Sequence, residues 1–525
     1  MQSEPNDRIE APLPEQLEGL TDLDPEAFRA ALHAVADAMA GYAARIEGYP
    51  VFPPIQPGRL TGLFPAQPPT GPASLAAILD DYRTLIEPNA THWAHPGFMA
   101  YFATPGAAAG VFGEMLMASL GQNTMLWRTS PIGTELESVV VGWLRDGLGL
   151  PADFDGFIND TASTSSLIAL AGARDAAGYR SATDGLFGNP EPGRPRVYAS
   201  VEAHSSIEKA CMTLGLGRSG LSKIPTDDAY RMRPEALEAA IQADLAAGVR
   251  PIAIVATIGT TSSTSIDPVP AIVDIAAAHG LWLHVDAAYG GAVALIPERR
   301  GPFAGWERAD SIVVNPHKWL FSPLDASLLL TRRMPALRDA FSLVPEYLRT
   351  LDRTGAGRDI HEYTPVLGRR FRALKLWVML RWFGLEGYRR RIEHHLGMAG
   401  AFAARVDADP DFERLAPVPF SVVCLRYRPR QLAGREDEPA IAARLDELNA
   451  RLIDAVNQTG EIFLSHTRLA GRFTIRVALG HLRGEERHAE RAWELLRREA
   501  AVVGEQGGAL GSDVAPADAA AAARD

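Results

Sequence analysis

The sequence predicts an α/β body with a mostly parallel sheet, followed by a smaller α+β unit. Three observations carry that prediction. Between about 106 and 375, short β-branched runs alternate with helical segments, the pattern of βαβ units. Two of those runs stop on polar residues, Asp286 and Asn315, at the carboxyl ends where open α/β sheets receive ligands. Beyond about 376 the alternation gives way to a strand, a long amphipathic helix, two more strands and a closing helix. At 525 residues, 47% hydrophobic and 22% charged, the chain has ordinary globular composition and length for two or three cores.

Residues 1 to about 105 open with amphipathic helical pieces, the clearest from Asp24 to Ile46. A connector containing Pro53, Pro54, Pro57, Pro65, Pro68, Pro69 and Pro72 follows, extended chain that makes no core of its own. Such an arm buries its apolar face on its own subunit or on a second copy, so dimerisation is expected. Thr91-His92-Trp93 and His95 to Thr104, rich in aromatics and small residues, read as loop lining a pocket.

From about 106 to 375 the candidate strands are Arg196 to Ala199, Pro251 to Thr257, Leu281 to Asp286 and Ser311 to Val314. A helix from Pro234 to Ala247 has proline in its first turn, Leu237, Ile241 and Leu245 on one stripe, and Gly248 just beyond. In the unit from about 376 to 504, the strand Phe420 to Tyr427 precedes a helix carrying Ile441, Leu445, Leu448, Leu452 and Val456, closed by Gly460. Glu461 to Leu464 and Phe473 to Val477 read as strands, and a final helix covers about 484 to 499. The tail, Glu505 to Asp525, has too few large apolar groups to order itself. No internal repeat is present.

A formal net charge of -12 argues against a nucleic acid or an anionic membrane as the main partner. Arg389-Arg390-Arg391 with His394-His395 reads as a solvated helix face in preference to a phosphate or metal site. Two cysteines, Cys211 and Cys424, are too few for a disulfide framework or a cysteine-ligated zinc site; no metal centre is expected and the chain fits a reducing cytosol. Met1 to Asp7 lacks the sections of a signal peptide and no segment is apolar enough to span a bilayer, so a cytoplasmic protein is expected.

The candidate chemistry centres on Lys318, in Asn315-Pro316-His317-Lys318-Trp319 at the end of an apolar run. Desolvation and flanking aromatics lower a lysine toward the neutral amine that forms Schiff bases, although lysines beside aromatics also simply lay their stems on apolar surface. Thr161-Ala162-Ser163-Thr164-Ser165-Ser166 opens a helix whose N-H groups suit a phosphate or ordinary capping. His204 follows a strand end, a place for a stacking ring or for a structural histidine. Asp286 ends a hydrophobic strand and needs a cationic partner, which a protonated pyridine nitrogen supplies. Taken in chain order, turn, histidine, aspartate and lysine account for the polar groups of pyridoxal 5'-phosphate. Gly215 to Gly220 fits the pattern G-x-G-x-x-G but follows a helical run, so a dinucleotide site is rejected.

With these motifs, and with Thr91-His92-Trp93, Thr134-Glu135-Leu136-Glu137 and Gly368-Arg369-Arg370-Phe371, the sequence resembles the pyridoxal-phosphate-dependent group II decarboxylases, the aromatic-L-amino-acid decarboxylases most closely. The resemblance implies the fold type I (aspartate-aminotransferase-like) architecture, with a seven-stranded sheet, and a homodimer with active sites at the interface. It implies that Lys318 holds the cofactor, Asp286 pairs with its ring nitrogen and His204 stacks on it. Thr104, Thr161, Ala162, Ser163, Thr261 and Asn315 match cofactor-contacting positions, and His317 joins the catalytic candidates. Tyr347 falls at the family's tyrosine proton donor, on a loop continuing through Thr350 to Asp359; phenylalanine there marks related aldehyde synthases. Trp93, Tyr101, Met125 and Gly368 are the candidate substrate contacts, and a glycine at 368 leans toward tryptophan or phenylalanine over tyrosine. The expected reaction is decarboxylation of an aromatic L-amino acid, tryptophan, phenylalanine, tyrosine or DOPA, to the corresponding amine and carbon dioxide. An aromatic aldehyde synthase, a transaminase, a decarboxylase of a non-aromatic amino acid and a non-catalytic scaffold are the alternatives.

Overall fold

A computed structural model describes residues 9–18, 21–104, 106–179, 181–186, 193–343 and 357–510, with side chains to 505. The arm contains α1 (Pro25–Arg45), started by the Asp24 carboxylate, which accepts the N-H groups of Glu26 and Ala27. Two helices lead into the body, α2 (Ala108–Leu120) and α3 (Pro131–Gly147). The body then alternates β1 (Asp155–Asn159), α4 (Ala162–Ala176), β2 (Arg194–Ser200), α5 (Ser205–Thr213), β3 (Leu221–Ile224), α6 (Pro234–Ala246), β4 (Val249–Thr257), α7 (Val269–His279), β5 (Trp282–Asp286), β6 (Ser311–Val314) and β7 (Ser327–Thr331).

These strands form one seven-stranded sheet in the order β1-β7-β6-β5-β4-β2-β3. The run from β6 to β3 is parallel, whereas β7 lies antiparallel to both β6 and β1. Alternate residues serve opposite faces: Ile254 and Ala256 pack in one cluster, Ala253 and Val255 in the other, with helices on both sides. Because β6, β5, β4 and β2 are parallel neighbours, their carboxyl ends share one edge, and that edge builds the site.

The long helix α8 (Arg372–Ala408), broken at Gly384 (φ 60°), leads into the second sheet. There β8 (Phe412–Arg414), β9 (Val422–Tyr427), β10 (Ser465–Leu469) and β11 (Arg472–Ala478) are antiparallel in the order β10-β11-β9-β8, with α9 (Pro439–Gln458) and α10 (Glu486–Leu510) packed on them. The loop after β4 is gripped by this sheet: Arg476 Nε and Cys424 Sγ both donate to Ser262 O, and the Ser262 and Thr467 hydroxyls pair at 2.8 Å. Among the described residues no helix is long and apolar enough to cross a membrane.

Several expectations change. Glu461 to Leu464 is no strand, because the backbone of Phe463 is taken by Gly97 and Met99 of the arm; the strand starts at Ser465. Leu245 is exposed, since only Leu237 and Ile241 of its stripe reach the core. His395 leaves the solvated face of α8 and lies buried beneath Trp319, whose Nε1-H it accepts. The final helix continues to Leu510, into the stretch expected to lack order.

Candidate active site

Asn315 leads from β6 into a single helical turn, Pro316–Trp319, whose third residue is Lys318. Consecutive residues on such a turn diverge by about 100°. The two neighbours of Lys318 therefore point elsewhere, and the aromatic flank expected from them is supplied by another segment. Trp319 stacks on Tyr289 (4.6 Å between centroids), Tyr289 stacks on Phe102 (3.8 Å), and Lys318 Nζ stands 5.1 Å from the Phe102 centroid. His317 is buried and accepts the Ala326 N-H at Nδ1; burial pulls its pKa down to about 4. Burial also lowers Lys318, with the Asp286 carboxylate opposing that shift and the Arg476 guanidinium adding to it.

Asp286 is 6% exposed at the end of β5, one carboxylate oxygen accepting the Ala288 N-H. His204 caps α5, its Nδ1 facing the N-H and hydroxyl of Ser206, and the residue is exposed. Desolvation lowers its pKa, Asp286 opposes and Lys318 adds, so the three groups share one electrostatic environment. Helix α4 begins at Ala162 with no side chain capping it, which leaves first-turn N-H groups available to an anion. Its buried hydroxyls are used behind that turn: Ser165 meets Asn159 and Ser327, and Ser166 meets His284.

Thr104 is half-buried two residues beyond Phe102, while Thr261 is exposed on the loop after β4. Trp93 is partly exposed and stacks on Phe98 and Tyr101; Tyr101 is exposed with φ 50°. Met125 and Gly368 belong to a different group. Met125 is tied to Asn123 and His361, the missing side chain of Gly368 leaves open space, and no hydrogen bond or ring contact among the described residues joins either to Lys318. Tyr347 lies outside the described residues.

Sequence reasoning missed Phe102 and Arg476. Phe102 falls inside the stretch read as pocket-lining loop, but nothing in the sequence singles it out from the other rings there. Arg476 does: it sits inside the apolar strand Phe473 to Val477, where a charge needs a partner. Its Nε donates to Ser262 O and its Nη1 to Ser465 Oγ and Tyr101 O, its guanidinium stands 5.3 Å from the Phe102 centroid, and Nη2 is buried without a partner. Ser200 Oγ, Thr257 Oγ1 and Asn315 Oδ1, at the ends of β2, β4 and β6, are likewise buried and unpartnered. A row of orphaned polar atoms along one strand edge, an uncapped helix start, a carboxylate and a depressed lysine fit pyridoxal 5'-phosphate.

The fold and this site define a pyridoxal-phosphate-dependent enzyme of fold type I. Residues 57–428 match the pyridoxal-dependent decarboxylase conserved domain, and the chain belongs to that family. It is 38% identical to phenylacetaldehyde synthase of Arabidopsis thaliana, over 92% of this chain and 97% of that protein. With tryptophan decarboxylase 1 of Oryza sativa subsp. japonica it shares 36% identity over 91% and 94% of the two chains. The crystal structure of Oryza sativa TDC with PLP and tryptamine superimposes with a TM-score of 0.87 at 36% identity, covering 92% of this chain and 99% of that one.

Proposed function

We propose that this enzyme removes the carboxylate of an aromatic L-amino acid, releasing the amine and carbon dioxide, and that it works in the cytoplasm as a homodimer with its sites at the interface. The observation that carries the reading is a lysine held below its ordinary pKa beside Asp286 and Arg476 at the carboxyl edge of the sheet. When bound, the cofactor supplies an electron sink for the carbanion left by decarboxylation. Lys318 offers the amine that holds it. Asp286 keeps a proton on the ring nitrogen, and the exposed ring of His204 offers a stacking face. The first N-H groups of α4, at Ala162 and Ser163, receive the phosphate with Asn315, and Thr104, Thr161 and Thr261 complete the surround.

Arg476 Nη2 receives the substrate carboxylate: it is a buried guanidinium nitrogen without a protein partner, and its guanidinium stands against Phe102, the ring beside Lys318. His317 stays neutral; with Nδ1 occupied by Ala326, its proton sits on Nε2. Tyr347 delivers the proton that completes the amine. The aromatic substrate class rests on the relatives named tyrosine and tryptophan decarboxylases, and the space at Gly368 suits a large ring. The dimer rests on exposed apolar side chains, Phe112, Leu116 and Leu120 on α2 and Ile132 and Trp143 on α3. Two free buried cysteines accord with the cytoplasm.

The phenylacetaldehyde synthase relative keeps a second reading open, oxidative conversion to an aldehyde. One experiment separates them. Purified enzyme with pyridoxal phosphate is given tryptophan, phenylalanine and tyrosine in air, and amine, carbon dioxide and peroxide are assayed; its mass in solution is measured alongside. Equal amine and carbon dioxide without peroxide, a visible cofactor band absent from Lys318→Ala, and twice the chain mass are expected. Peroxide with aldehyde moves the assignment to the synthase, and a protein that takes up no cofactor ends both.

A further inference from the structure

One pair of fully buried charges, Glu137 on α3 and Arg369 ahead of α8, has no part in the chemistry above. Arg369 Nη2 donates to Glu137 Oε1 at 2.7 Å and Nη1 to Glu137 Oε2 at 3.2 Å. The same pair holds both backbone groups of Ile158: its N-H goes to Glu137 Oε1 (2.8 Å), and its C=O takes Arg369 Nη2 (2.9 Å). Strand β1 is the edge of the large sheet, so one side of it has no strand partner. The ion pair supplies the missing donor and acceptor there, one residue before Asn159 and the turn that opens α4.

The other side of the pair faces the segment that carries Met125. Arg369 Nη1 donates to Thr124 O (3.0 Å), Thr124 N to Arg369 O (2.9 Å), Arg369 N to Asn123 Oδ1 (3.0 Å), and His361 N to Met125 O (3.0 Å). Residues 123–127 and 359–369 are thereby sewn together, and Gly368 adjoins the clamp. Burying two charges is costly, and a well-packed apolar pair of similar volume is often as stable, so stability alone is a poor reason for this arrangement. What the fork does that apolar groups cannot is hold two backbone segments at a set distance.

We propose that Glu137 and Arg369 are positioning residues that lock the phosphate-receiving turn after β1 to the segment bearing Met125 and Gly368, so that cofactor affinity and side-chain selectivity both depend on the pair. The proposal rests on the function proposed above. Its test uses full-length Glu137→Gln, Arg369→Lys and the apolar double variant Glu137→Leu/Arg369→Met. Each is stripped of cofactor and titrated with pyridoxal phosphate by absorbance, melted thermally, and assayed for the ratio of kcat/KM on tryptophan to that on tyrosine.

Cofactor affinity is expected to fall about tenfold or more in the double variant, with a changed substrate ratio, even where its melting temperature matches wild type. Arg369→Lys, which keeps the charge without the fork, is expected to bind the cofactor about threefold or more weakly than wild type with a changed substrate ratio, and it decides the matter should the double variant not fold. Variants that melt differently yet keep wild-type cofactor affinity and substrate ratio overturn the proposal, leaving the pair a structural strut. If wild type itself neither binds the cofactor nor decarboxylates, the functional reading fails instead.

Discussion

Lys318 owes its depressed pKa to burial and to a cation far from it in sequence. Phe102 beside it arrives from the segment before α2 and Arg476 from the second sheet, while the Asp286 carboxylate of β5 opposes the shift; none is adjacent to the lysine in the chain. Arg476 is a positive charge that favours the neutral amine, and in the proposed function its unpartnered Nη2 is also the donor for the substrate carboxylate. Arg476→Met is expected to raise KM about 10- to 100-fold, the worth of a hydrogen bond to a charged group. It should also raise the pH at which the cofactor-free lysine titrates, because one cation is gone. Steady-state kinetics and the pH dependence of lysine labelling check both, and an unchanged KM would remove Arg476 from the substrate site.

In the proposed site, the phosphate-receiving element is the start of α4, set by β1 before it. Gly156 lies in β1 where an added Cβ would stand 2.1 Å from the carbonyl oxygen of Leu329 on β7. A backbone carbonyl in a paired strand cannot step aside, so Gly156→Ala is expected to cost about 1–3 kcal/mol of stability. It should also weaken cofactor binding by displacing Asn159 and the turn beyond it. A denaturant midpoint and a cofactor titration measure the two effects, and wild-type values for both would show that β1 and β7 can part without consequence. This strand went unread in the sequence because Asp155-Gly156-Phe157-Ile158-Asn159 is short and neither alternates nor runs apolar. β6, four apolar or small residues ended by asparagine and proline, was legible from its first residue to its last. Glu461 to Leu464 misled because an apolar run next to a strand looks like one; the arm segment that claims its backbone lies more than 350 residues away.

At the scale of the whole molecule, buried histidines tie stability to pH. Burial pulls His95, His284 and His317 down to about 4, and His395 and His481 to about 3. Above the unfolded value of about 6.5, both folded and unfolded states are neutral and nothing is lost. As pH falls below it, the unfolded chain takes up protons that the folded chain refuses, so stability drains away until the folded values near 4 and 3 are passed. Each histidine contributes a slope of up to about 1.4 kcal/mol per pH unit in that window. Asp267, pushed up to about 7 by burial, works the other way as pH falls from 7 toward 4, and burial raises Glu202 and Asp310 in the same sense, while His92, His204 and His488 are lowered like the five. Melting temperatures at pH 7.5, 6 and 5 at constant ionic strength should fall steeply, and a level profile would contradict the burial of these rings.

Sequence alone determined the fold class and the cofactor. Alternating apolar runs specify a parallel sheet through strand and helix period, and the order of turn, aspartate and lysine matches the cofactor's polar groups whatever the loops between them do. Only the tertiary structure decided which aromatic ring stands beside Lys318, that a second sheet contributes a buried guanidinium to the site, and that the segment of Met125 is joined to that of Gly368. Those are contacts between residues hundreds of positions apart, and periodicity, which is local, carries no record of them.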